Sequence, residues 1–236
     1  QAISLPRPQV FDRIAPDTEF DQVKCQPPSP AIISTANWIN LRYYARRPET
    51  SPPIRRPANR QQRLMPARFF QRFRWSDPEA LARELEETAT AHRAAQAAGD
   101  TTNEIEYACR LGVALTAADR EAEAAALLEA ALPKARALAE PALVAWVLLY
   151  LATAQQYLGN REQAHTLFSE SLQIVESHAL RDIEHYVWHH RGRCFAEDRN
   201  IASARLCFER ALSIRSQLGE PRAERTRQAL AALDTL

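Results

Sequence analysis

Glycine is scarce in this chain: five residues in 236, all at or after Gly99. So little glycine leaves few places for the tight loops that cradle phosphates or present a catalytic serine, and no such motif is present. Lysine is nearly missing as well, two against 28 arginines, a bias that fits GC-rich bacterial coding. Cys25, Cys109, Cys194 and Cys207 show no Cys-x-x-Cys spacing, which points to reduced thiols rather than a disulfide framework. No apolar run reaches ~18 residues, and the N-terminus lacks the charged start and apolar core of a secretion signal. The expected location is therefore cytoplasmic, without a membrane partner.

What is present is divided unevenly. Residues 1–75 carry thirteen basic side chains against five acidic ones, and the remaining 161 carry 17 against 24, so +8 faces −7. Twelve of the fifteen prolines lie at or before Pro78. Runs such as "QPPSP" and "SPPIRRP" cannot sustain a helix or a central strand. Residues 1–64 thus read as an extended or disordered basic arm, 65–77 as an aromatic and basic junction, and 78–236 as a helical domain. Met65, the single methionine, leaves 1–64 open to a second reading as upstream sequence outside the native product.

A 40-residue step organises the helical part. Gly112 has counterparts at Ala152 and Gly192, and Ala124 at Ala164 and Ala204. Leu128 matches Phe168 and Phe208, while Ala131 matches Ser171 and Ala211. Small residues at fixed places let paired helices approach, a bulky residue fills the next layer, and each pair leaves an apolar face for its neighbour. Helix punctuation keeps the same rhythm. "SDPE" (76–79) and "TTNE" (101–104) read as capping boxes, Gly159 as a stop, and Pro141 and Pro221 as helix starts. Eight helices are predicted, near 78–98, 102–117, 120–138, 142–158, 161–177, 181–197, 200–218 and 221–235, with Pro133 kinking or ending the third.

The segments "LGVALTAADREAEAAALLEAAL" (111–132), "LATAQQYLGNREQAHTLFSESL" (151–172) and "RGRCFAEDRNIASARLCFERAL" (191–212) resemble tetratricopeptide repeats of a long, about 40-residue bacterial variety. They depart from the family pattern at Arg191 and lack a loop glycine before Arg120 and Asn200. The resemblance implies an all-α, right-handed α-α superhelix of about eight helices, here preceded by an extended Pro/Arg-rich arm. It also implies a concave groove lined by the first helix of each pair. The groove-facing set would be Glu106, Cys109, Val113 and Thr116, then Trp146, Leu149, Thr153, Gln156 and Tyr157, then Tyr186, His189, Arg193 and Glu197. The other reading of Trp146 and Leu149 is plain core. Aromatics among hydrogen-bonding groups suit a peptide, and His189 with Arg193 could hold one carboxylate.

Function is expected to follow from that groove: a scaffold or adaptor, with a regulatory role as one option, that binds a protein or peptide partner as monomer or homodimer. No catalytic residue, cofactor or metal is expected. Glu84, Glu86, Glu87, Glu121 and Glu123 sit where solvated helix faces normally carry acids. His185 and His189, four apart on a helix, could share a metal only with a third ligand such as Cys194 or Glu197. The alternative function uses the arm: ten arginines in 42–74, interleaved with Tyr43, Tyr44, Phe69, Phe70 and Phe73, suit phosphate contact and base stacking in a nucleic-acid-associated protein. A further possibility is internal, with the junction aromatics capping the first helix or the arm lying in the groove.

Overall fold

The computed structural model describes residues 69–236; the expectations for residues 1–68, including Cys25 and most of the arginine-rich arm, fall outside them. Among the described residues the regular elements are all helical. They are α1 (Pro78–Ala98), α2 (Thr101–Ala117), α3 (Glu121–Leu138), α4 (Pro141–Leu158), α5 (Arg161–Ser177), α6 (Arg181–Glu197), α7 (Ile201–Gln217) and α8 (Ala223–Leu233). Each packs on the next, and α4 also touches α2 and α6. The first helices of successive pairs therefore form one layer. The fold is an all-α helical repeat.

The 40-residue register is a packing register. Ala124, Ala164 and Ala204 are fully buried, as are Leu128, Phe168 and Phe208. A Cβ built on Gly112 would lie 2.8 Å from Leu128 Cδ1, and one on Gly192 would lie 2.9 Å from the Phe208 ring. Glycine thus performs the same task in two repeats: it admits the bulky side chain sixteen residues later. Most of the core is one cluster spanning α2 to α6. A second joins Phe70 to Ala196, Ala204, Phe208, Ala229 and Leu233.

A finer step of twenty residues runs through the helix ends. Gly99, Asp119, Ala139, Gly159, Ala179, Arg199 and Gly219 all take left-handed backbone, with φ from 53° to 90°. At six of these seven ends the next N–H reaches back five residues: Asp100 to Ala95, Arg120 to Leu115, Asn160 to Gln155, Leu180 to Val175, Asn200 to Phe195 and Glu220 to Arg215, at 2.8–3.0 Å. That bond closes the last helical turn and satisfies a carbonyl the helix itself cannot. Because it is made by the backbone, the motif tolerates Asp119 and Arg199 where glycine was missed.

Several local expectations need correction. The first cap is Asp77, whose carboxylate accepts from the Glu79 and Ala80 N–H groups, and the second is Asp100, accepting from Asn103. Pro133 does not end its helix; α3 continues to Leu138. Pro133 is exposed, so the carbonyl it deprives of a donor faces water rather than core. One helix among the described residues, α4, is long and apolar enough to cross a membrane by length and composition (mean hydropathy 1.2), although its unbroken apolar run covers only 142–152. It is the central helix of the array and mostly buried against its neighbours.

Candidate functional site

Short links between consecutive helices make their directions alternate, so α2, α4 and α6 end at one edge. Each C-terminus carries partial negative charge, and the acids Asp119, Glu121, Glu197 and Asp198 add to it. Residues 69–75 lie across this edge. Gln71, at φ 47°, turns the segment so that its neighbours take different sites. Phe70 enters the second core cluster beside Phe208, with ring centroids 6.0 Å apart. Phe69 meets Tyr157 edge to face at 4.8 Å. Arg72 lays its guanidinium over the Tyr157 ring at 4.3 Å.

Polar contacts fix the same segment. The Phe70 N–H donates to Glu197 Oε1 at 3.0 Å, and Arg193 Nε donates to the Phe70 carbonyl at 3.2 Å. Arg193 also donates to the Tyr157 hydroxyl. Arg72 donates to the Thr116 carbonyl in the last turn of α2 at 2.6 Å. It pairs with Asp119 at 2.9 Å and with Glu121, and Arg74 pairs with Asp119. The side chain of Glu197 also takes Gln156 Nε2 at 2.8 Å. Burial raises the pKa of Glu197, against the pull of Arg161 and Arg193.

The groove-facing set divides accordingly. Gln156, Tyr157, Arg193, Glu197 and the Thr116 carbonyl come together around the segment. Cys109, Trp146 and Leu149 do not face a groove; they belong to the main core, because the face of α4 opposite α5 is covered by α2 and α6. Tyr186 is buried against Trp146, with centroids 5.3 Å apart. Thr153 turns its hydroxyl to the Leu149 carbonyl and to His190 Nδ1. Glu106 is buried, while Val113 and His189 are half-buried. Capping of the first helix by the junction aromatics was one of the readings; Phe70 lies at the C-terminal end of the array instead.

Two metal readings can be set against geometry. His185 and His189 do not aim at a common ion: Arg215 Nε donates to His185 Nδ1 at 3.1 Å, and Arg215 Nη1 lies 3.4 Å from His189 Nδ1. A guanidinium occupies the cation's place. His165, Cys194 and Asp198 bring three donor atoms within 4.8 Å, a cluster that no sequence spacing indicated. His165 Nε2 is 2.6 Å from Asp198, and Arg161 reaches Cys194 Sγ at 3.8 Å and Asp198 at 3.7 Å. Burial pushes the Cys194 thiol up to about 12. Again an arginine stands among the donors.

Beside the segment lies a basic wall that reasoning from first helices alone missed. Arg215 of α7 is buried, donating to the Thr226 hydroxyl at 2.6 Å and the Arg222 carbonyl at 3.1 Å. Arg222 and Arg225 come from α8 and its approach. Desolvation lowers the His185 pKa to about 3, with Arg215 and Arg222 adding to the effect. His189 and His190 are held well below their ordinary value by burial and by Arg215, Arg193 and Arg225.

No family model and no curated protein matches this chain. Among solved structures it is similar to the crystal structure of BtubC (BKLC) from P. vanneervenii, with a TM-score of 0.56 and 20% identity. The match covers 65% of this chain and 65% of that one. At that identity the likeness is one of fold.

Proposed function

We propose that this chain is a tetratricopeptide-like scaffold or adaptor that holds an extended peptide across the C-terminal edge of α2, α4 and α6. The observation that carries the reading is residues 69–75. A non-helical stretch of the chain's own sequence is gripped there through both its main chain and its side chains. Main-chain bonds from Glu197 and Arg193 would accept any sequence, and the Tyr157 ring and the second core cluster select aromatics. The acids at the edge select arginine. A partner segment with spaced aromatics and arginines meets the same chemistry.

The test uses a fluorescent peptide, ARFFQRFRWS, added in trans to the full chain carrying Phe69→Ala, Phe70→Ala, Arg72→Ala and Arg74→Ala. Saturable binding is expected in that variant, and it should be lost when Tyr157→Ala and Arg193→Ala are added. No saturable binding by a folded variant would remove the edge as a peptide site.

A further inference from the structure

Three unlike donors converge where α6 ends. Cys194 and Asp198 stand one helical turn apart, and the Asp198 N–H donates to the Cys194 carbonyl at 3.1 Å. The turn is therefore intact, and both side chains leave the same side of it. His165 reaches them from α5, its Nε2 lying 2.6 Å from Asp198 Oδ2 and 3.7 Å from Cys194 Sγ. One sulfur, one imidazole nitrogen and one carboxylate oxygen thus fit within 4.8 Å of one another. Cys194 is buried, while the side chains of His165 and Asp198 keep 24% and 28% of their exposure. The cluster has a wet side and a dry one.

We propose that His165, Cys194 and Asp198 bind a zinc ion. Zinc takes four ligands in a tetrahedron at about 2.0–2.3 Å, which sets neighbouring ligand atoms about 3.3–3.6 Å apart. The separation of Cys194 from His165 already suits that spacing. His165 and Asp198 must part by about 0.7 Å, a small shift for a partly exposed carboxylate at a helix cap. Water from the wet side completes the set. A thiolate beside an imidazole selects zinc over magnesium or calcium, which take oxygen ligands. The Cys194 proton leaves as the ion enters, because a coordinating thiol gives it up to the metal's charge. Thiolate and Asp198 carboxylate then balance the two charges of zinc. Arg161, which reaches Cys194 and Asp198, also pairs with Glu197 and can keep that partner when the ion takes its place. The ion would fasten α5 to the end of α6. The inference does not rest on the peptide reading: these donors can take a cation whether or not the neighbouring edge takes a peptide.

Zinc chloride titrated into the full chain, reduced, untagged and stripped of metal, is the direct experiment, read by competition with a chromophoric chelator. One ion per chain is expected, in the low micromolar range or tighter, with a higher melting temperature and release of about one proton at neutral pH. Cobalt(II) in place of zinc should give a sulfur-to-metal charge-transfer band in the near ultraviolet. Cys194→Ser should abolish that band, and Cys207→Ser should leave it. Asp198→Asn, at the cap, should weaken zinc by about tenfold or more and keeps the measurement decisive should the Cys194 variant unfold. Absence of saturable binding would overturn the proposal. So would a charge-transfer band surviving in folded Cys194→Ser, affinity unchanged in Asp198→Asn, or magnesium displacing zinc at equal concentration, which would mark a site of oxygen ligands alone.

Discussion

Ala164 shows how little freedom a single position has in this array. It is fully buried between α4 and α5, at the place Ala124 and Ala204 occupy in the flanking repeats. Ala164→Arg would force a charged side chain into a close contact and is expected to cost more than ~3 kcal/mol, read as a lower denaturation midpoint. Trp146→Ala should cost a similar ~3–5 kcal/mol, since the ring is core rather than groove. The histidines set a different dependence. His185, His189 and His190 are neutral when folded but take protons readily when unfolded, near their ordinary value. At pH above about 6.5 both states are neutral and they cause no pH dependence. Below it the unfolded chain binds more protons, so stability is lost as pH falls toward about 3, where His185 itself titrates. Each such group contributes a slope of up to about 1.4 kcal/mol per pH unit. Urea midpoints measured from pH 7 to 4 should fall steeply, and His185→Gln should flatten the curve.

At the scale of the helix, the twenty-residue spacing of left-handed ends makes opposite predictions for chemically similar sites. Ala139 and Ala179 hold positive φ without being glycine, a strain of about 1–2 kcal/mol for an L-residue. Ala139→Gly relieves it but frees the unfolded chain, so a net gain of about 0.5–1 kcal/mol is expected. Gly159→Ala, at φ 90°, should lose about 1 kcal/mol or more. Thermal unfolding of the two variants against wild type checks both signs. The helix bounds read from the sequence fall within two residues of those observed. Caps, prolines and the 40-residue pattern are local signals that directly report the chain's own hydrogen bonds. The link before Arg120 was harder to read because Schellman-type closure depends on backbone geometry that Asp119 can adopt.

Across the whole molecule, the junction 69–75 reaches from Thr116 in α2 to Phe208 in α7. Phe70→Ala should open the second core cluster, lower stability by about 3–5 kcal/mol and release the segment that carries Arg72 and Arg74. Limited trypsin digestion should then cut after these arginines several-fold faster than in wild type; an unchanged rate would mean the segment is held by its ion pairs alone. The same contacts bear on the alternative role of the arm, because Arg72 and Arg74 already face Asp119 and Glu121. Any nucleic-acid binding would have to use other arginines, and a slope of log affinity against log salt near −0.9 per duplex phosphate contact would reveal it.

Periodicity, helix caps and composition were enough to establish an all-α repeat and its register, because small and bulky residues recur wherever helices must touch. Composition also marked 65–77 as a seam between basic and acidic text. Which face of α4 was core, and that Phe69, Phe70 and Arg72 would lie on the ends of the inner helices, came only from the tertiary structure. So did the meeting of Arg193, Arg215, Arg222 and Arg225 around one cavity. Spacing along a chain reports neighbours on one helix, whereas these groups belong to separate elements that packing alone brings within reach.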